Sequence, residues 1–187
     1  VTSAPQLDVR LEVWDTGTAL ARVDELVSVY RSAFLDRWEP DPHQAARDRR
    51  LHVGRHLRRG DATVLVASDA DGLTGFTYSV PGRPGNWWHD TVRSGLSATQ
   101  RLRWLADCTE IVELHVAPRA QGQGLGRALL RGALARSSAR TAVLSALDDP
   151  DLPARHLYQS EGFILLCSSF FFPGTSHSYA ILGRDLQ

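Results

Sequence analysis

Apolar residues recur along this chain in two rhythms. Residues 9–14 (VRLEVW) alternate, which predicts a first strand. Residues 19–36 (ALARVDELVSVYRSAFLD) place apolar side chains three and four apart, as an amphipathic helix does, and EPDP at 39–42 ends that run. A charged helix is expected over 43–59. ATVLVAS, the turn DADG and LTGFTYSV then read as two strands of a hairpin. Residues 81–95 (PGRPGNWWHDTVRSG) are rich in glycine and proline and read as a connection, followed by a short helix at about 97–106. EIVELHV (110–116) predicts a strand, residues 124–138 a helix, and TAVLSAL (141–147) a buried strand. PARHLYQSEG reads as a short helix ended by Gly162, and FILLCSSFFF and SHSYAILGRDL as two final antiparallel strands. No repeat or internal linker interrupts the order. A single α/β domain over residues 1–187, with a mixed central sheet flanked by helices, is the expected fold class.

Composition narrows the partners. The 187 residues are 43% apolar and 22% charged, and 21 basic side chains balance 21 acidic ones. Such a chain offers no electrostatic footprint for nucleic acid or an anionic membrane. Every basic Lys/Arg position is arginine, so the protein carries no lysine side chain as an acylation target. Cys108 and Cys167 lie far apart in apolar runs and read as free thiols. No clustered Cys/His spacing suggests a metal. The opening VTSAPQLDVRLEV has neither the basic region nor the apolar core of a signal peptide, and no apolar run approaches the roughly 20 residues of a membrane span. A cytoplasmic location is expected.

The chemistry concentrates in HVAPRAQGQGLGRALLRGAL, residues 115–134, where Gly122, Gly124 and Gly126 occupy alternate positions between a strand and a helix. The first turn of a helix presents N–H groups without partners, and its dipole favours an anion. Glycines there let the backbone approach a phosphate closely, and Arg127 adds charge. A tight turn that merely packs strand against helix accounts for the same letters. A Walker loop is excluded by the lack of lysine; a Rossmann fingerprint has Arg127 where a glycine belongs and at least three strands ahead of it, while Asp148 and Asp149 about twenty residues onward keep a dinucleotide-binding reading open.

Gln121-Gly122-Gln123-Gly124-Leu125-Gly126 resembles the Q/R-x-x-G-x-G/A loop that holds the acetyl-CoA pyrophosphate in the GNAT N-acetyltransferases. ELHVAP ahead of it resembles that family's fourth strand, and ARHLYQSEGF (154–163) its A-x-x-x-Y-x-x-x-G-F signature. The element order matches over nearly the whole chain. One position departs: Asp151 stands where many members carry asparagine. The resemblance implies a GNAT-like sheet of about seven strands, splayed between strands 4 and 5. It implies acetyl-CoA as cosubstrate, no metal, an amine acceptor, and pairing of two copies through the final strands. It assigns Gln121 to Arg127 to the carrier, together with Leu114, His115, Val116, Ala154 and Tyr158. The Val116 N–H is expected to meet the thioester oxygen, and Tyr158 to donate a proton to the leaving thiolate.

An alkyl amine of pKa about 10.4 is mostly protonated at neutral pH, so a base helps the attack. Glu110, Glu113 and His115 are the candidates on the fourth strand. By alternation Glu113 and His115 share one face and Glu110 the other. Counting back from Gln121, Glu110 falls where the histone-modifying branch of the family keeps its catalytic glutamate. Glu113 and Glu110 stand level as bases, and each has an ion-paired structural alternative; for His115 a hydrogen-bonded structural role leads. Trp38, Glu39, Trp87, Trp88 and His89 are the expected acceptor contacts, through cation–π and charge interactions. A small-molecule amine is the first acceptor class, with a protein or peptide amine second. A non-catalytic acyl-CoA-binding module is the competing reading.

Overall fold

The computed structural model describes residues 9–35 and 42–187. Trp38 and Glu39 therefore lie outside the described residues. Seven strands are observed: β1 (Arg10–Trp14), β2 (Thr63–Asp69), β3 (Gly72–Gly82), β4 (Cys108–Val116), β5 (Thr141–Leu147), β6 (Ile164–Phe170) and β7 (Tyr179–Asp185). The helices are α1 (Thr16–Ala21), α2 (Val23–Tyr30), α3 (Pro42–Leu57), α4 (Trp87–Gly95), α5 (Ala98–Trp104), α6 (Leu125–Leu134) and α7 (Pro153–Ser160). The strands form one mixed sheet in the order β1-β2-β3-β4-β5-β7-β6. By contact the chain divides into two compact units, Val1–Tyr78 with Glu113–Ala135, and Ser79–Val112 with Arg136–Gln187.

In the first unit β1 pairs antiparallel with β2, from Arg10↔Ser68 to Trp14↔Val64. The helix expected over 19–36 is two helices. α1 starts at Asp15, whose carboxylate accepts from the Thr18 N–H at 2.8 Å. It stops at Arg22, whose φ of −108° and ψ of 23° break the helical run. The Arg22 guanidinium lies 4.1 Å from the centroid of the Trp14 ring and bonds Glu25 at 2.6 Å. Beyond α2 the backbone widens into a π turn over Arg31–Leu35, where Ser32 Oγ donates back to the Val29 carbonyl at 2.9 Å. The stripe Leu125, Leu129, Leu130, Ala133 and Leu134 buries one face of α6, and α6 packs on β2. Each such leucine contributes roughly 1.5–3 kcal/mol by leaving water. Gly75 of β3 makes close approach feasible: a Cβ there would stand 3.0 Å from both the His115 carbonyl oxygen and a Leu129 methyl.

In the second unit a buried cluster joins Trp88, Val92, Leu96, Trp104, Leu105, Cys108, Val143, Phe172 and Ile181. The glycine- and proline-rich connection at 81–95 contains α4, which the turn residues concealed. A capping box, Ser97 with Gln100, starts α5. The parallel β4–β5 ladder is short. It runs from Cys108↔Thr141 to Glu110↔Val143 and ends while β4 still has Ile111 and Val112 inside this unit. β5 pairs antiparallel with β7 from Thr141↔Asp185 to Leu147↔Tyr179. The edge strand β6 shifts register twice against β7, and Ser169, at φ 51°, donates its N–H to Asp148 Oδ2 at 2.6 Å. Both cysteines are free, Cys108 buried and Cys167 half-buried.

Candidate active site

The glycine loop is built by the end of β4. The Ala117 N–H donates to the Thr74 carbonyl at 2.7 Å, tying the exit of β4 to β3. A 3-10 turn at Pro118–Ala120 follows, and Arg119 is ion-paired with Asp69 at the end of β2. Gln121 Nε2 donates to the Val116 carbonyl at 2.9 Å, and Gln123 Nε2 to the Arg119 carbonyl at 3.4 Å. These bonds fold the loop back on its own strand. Gly122 and Gly124 hold φ of 75° and 81°, the left-handed region that side-chain-bearing residues avoid. Gly124 is the N-cap of α6 and supplies no side-chain cap. A Cβ built on Gly122 or Gly124 would meet nothing within 4 Å. The glycines therefore do not serve packing. They leave open backbone at the start of a ten-residue helix, where N–H groups and dipole favour an anion. That geometry suits an anionic group such as a diphosphate.

Strand β4 carries the expected Glu113 and His115 on one face, as alternation required: His115 Nε2 and Glu113 Oε2 are 2.6 Å apart. The other carboxylate oxygen is ion-paired with Arg49 of α3. Thr77 Oγ1 donates to the Glu113 carbonyl at 2.7 Å, and Arg49 Nη2 donates to Tyr30 Oη at 3.1 Å. Burial opposes the Glu113 charge, yet the Arg49 guanidinium and the His115 contact outweigh it and hold this carboxyl at about 2. Glu113 is thus a fixed negative charge over the whole working pH range. The His115 ring meets Tyr30 edge-on at 4.9 Å and leans on Phe76 at 5.5 Å.

The second unit holds the other candidates. Glu110 is buried on β4 in register with Val143. Burial, then the Glu110 and Asp107 charges, push the Cys108 thiol up to about 12 and keep it unreactive. Tyr158 is buried on α7, edge-on to Phe163 at 5.8 Å, and Ala154 is exposed at the start of that helix. Of the expected acceptor contacts, Trp88 is core and donates its Nε1–H to Ser145 Oγ at 3.1 Å. His89, only 1% exposed, lies between Asp90 Oδ1 at 3.0 Å and the Leu105 carbonyl at 3.3 Å. Trp87 is 56% exposed and tilts against Phe172.

From the sequence, residues 43–59 are a charged helix with no assigned chemistry. The structure gathers Arg49, His52 and His56 there on one face, next to Tyr30, Tyr78 and Glu113. The spacing H-x-x-x-H, one helical turn, was the legible signal. His56 Nδ1 is 3.0 Å from Tyr78 Oη, and the His52 and His56 rings meet at 4.4 Å.

Known proteins carry the same plan. Residues 23–163 match the model of the acetyltransferase (GNAT) family. The chain belongs to that family. It is 38% identical over 121 residues to a GCN5-like protein acetyltransferase of Mycobacterium tuberculosis, an alignment spanning 61% of this chain and 59% of that relative. In fold it is similar to a GNAT-family acetyltransferase from Desulfovibrio desulfuricans, with a TM-score of 0.66 and 18% identity over 96% of this chain and 99% of the other. It is also similar to the PaiA N-acetyltransferase of Thermoplasma acidophilum solved with coenzyme A, with a TM-score of 0.63 and 14% identity over 94% and 99%. Among the described residues no helix is long and apolar enough to cross a membrane, and no cluster of three or more His, Cys, Asp or Glu side chains is arranged to hold a metal.

Proposed function

We propose that the protein is an N-acetyltransferase that moves acetyl from acetyl-CoA to a primary amine on a small molecule. The observation that carries this reading is the open, left-handed glycine pair at the N-terminus of α6, directly after β4. The match over 23–163 runs through both compact units and supports treating the chain as one catalytic domain. The carrier supplies an activated acetyl thioester. Leu114, His115 and Val116 line its path along β4, with the Val116 N–H assigned to the carbonyl oxygen, where negative charge develops. In the reaction a C–N bond forms and the C–S bond breaks. The amine loses a proton, and the sulfur gains one from Tyr158, whose phenol (pKa about 10) is reasonably matched to a thiol. Ala154, exposed at the start of α7, is assigned to the carrier.

Glu110 and Glu113 keep their assignment as groups that assist proton removal, in different ways. Glu113 is engaged on both oxygens and held near 2, so it acts as a charge that stabilises a cation forming beside it. Trp87, exposed on α4, is assigned to the apolar part of the acceptor, with Trp38 and Glu39 as the cation-attracting side. Trp88 and His89 support α4 from within. Pairing of two copies through the final strands is supported by the exposed Ile164 and Leu165 of β6 and by Phe171 just beyond it.

A protein amine is the second reading, favoured by the name of the mycobacterial relative. The deciding experiment incubates the protein with acetyl-CoA and either a panel of small primary amines or lysine-containing proteins, following free thiol and acetylated product. Thiol release with the small amines is expected. Release only with proteins reassigns the acceptor, and tight carrier binding without release in any arm makes the chain a non-catalytic acyl-CoA module.

A further inference from the structure

We infer that His52 of α3 is the proton acceptor for the attacking amine, positioned by His56 and Tyr78; the inference rests on the acetyl-transfer reading and names the base within it. Three observations in the first unit converge. Both oxygens of Glu113 are already engaged, by Arg49 and by His115. A carboxylate held at about 2 is a poor acceptor from an ammonium of pKa about 10.4. His52, half-buried, makes no hydrogen bond from either ring nitrogen to any described residue.

Its orientation is nevertheless fixed. Tyr78 is fully buried on β3, and its hydroxyl is 3.0 Å from His56 Nδ1. The His56 ring in turn meets the His52 ring at 4.4 Å with an interplanar angle of 65°. A buried phenol thus holds one imidazole, and that imidazole holds the next, one helical turn away. The charges around the pair suit a neutral base. Facing His52 are Arg49 and Arg55 of its own helix, Glu113 of β4 and His56. Facing His56 are His52, Arg55 and Arg59, Glu113, and Tyr78 of β3. Burial first, then these cations, keep both rings unprotonated at neutral pH, while Glu113 opposes that effect. The same Glu113 charge stabilises the imidazolium once His52 takes a proton.

The step balances without another reagent. His52 first takes one proton from the bound ammonium on a ring nitrogen; the freed amine nitrogen then bonds to the carbonyl carbon and releases its second proton to water. The C–S bond breaks toward a thiolate that is protonated separately. The imidazolium then returns its proton to water.

The test follows thiol release from acetyl-CoA with benzylamine and with lysine amide between pH 6 and 9. For His52→Gln a roughly 100-fold fall in kcat is expected, with the KM for acetyl-CoA unchanged within about twofold. The log of the remaining rate is expected to rise by about one per pH unit, because only amine already deprotonated in solution then reacts. Imidazole is expected to restore part of the activity of His52→Ala. Tyr78→Phe, which removes one hydroxyl, is expected to lower kcat several-fold with the same steepened profile. Wild-type kcat and profile in His52→Gln overturn the inference alone, as does a lower kcat with an unchanged profile, which assigns His52 to packing. No thiol release by the wild type with either amine, with the small-amine panel or with the lysine-containing proteins overturns the transferase reading and the inference with it.

Discussion

Gly124 gives the most direct test of the carrier site. At φ 81° and with no atom within 4 Å of a built Cβ, Gly124→Val costs the free protein conformational strain and little else. That strain is about 1–2 kcal/mol, enough to lower the melting temperature by a few degrees without unfolding the chain. The carrier experiences the substitution differently. The branched side chain fills the space through which a phosphate reaches the amides opening α6. Hydrogen bonds from amides to a charged group are worth about 1.5–3 kcal/mol each, so loss of two weakens binding by roughly 100- to 10,000-fold. Gly60 provides the matched control, since it too has a left-handed φ, 76°, and open space, but it follows α3 rather than the loop. Isothermal titration with coenzyme A, alongside thermal melts, separates the two effects. Gly60→Val is expected to show the strain and keep wild-type affinity, while Gly124→Val shows both losses. Folded Gly124→Val that binds coenzyme A within twofold of wild type would refute the cradle, and with it the step from open amides to carrier.

Three other outcomes are expected. Arg49→Met leaves the buried Glu113 carboxylate without its guanidinium and should cost about 3–5 kcal/mol in urea unfolding. In the wild type Glu113 is held at about 2, below its ordinary value of 4.5, so its stabilisation is complete above about 4.5 and lost as pH falls toward 2; unfolding midpoints across that window should flatten in Arg49→Met. His56 is held at about 4, below its ordinary 6.5, chiefly by burial, so its contribution is complete above 6.5 and lost as pH falls to 4; His56→Gln should remove that part of the slope in the same titration. Tyr158→Phe keeps the ring packed against Phe163 and should lower turnover far more than acetyl-CoA affinity in paired kinetic and titration measurements, whereas equal turnover removes Tyr158 as proton donor.

What the sequence determined by itself was local and periodic. The strand EIVELHV, the apolar run TAVLSAL, the turn DADG, and the three-four spacing after Gly124 are each legible within one element, and each element formed. The face shared by Glu113 and His115 was legible for the same reason, because strand parity needs no partner. The glycine loop was legible because left-handed backbone at a helix start leaves few residue choices. Tertiary structure decided the rest. Only folding brings Arg49 to Glu113 across 64 residues, and that pairing turns a candidate base into a fixed charge. Only folding sets Tyr78 against His56 and the Arg22 guanidinium over Trp14, at the point where the expected 19–36 helix is broken. The connection before β4 marks Trp88 and His89 as acceptor contacts by family resemblance, while their burial depends on partners at Ser145 and Leu105, which no spacing within the segment encodes. A side chain's own rhythm fixes its element and its face, but its charge state and its accessibility are set by whatever the rest of the chain packs beside it.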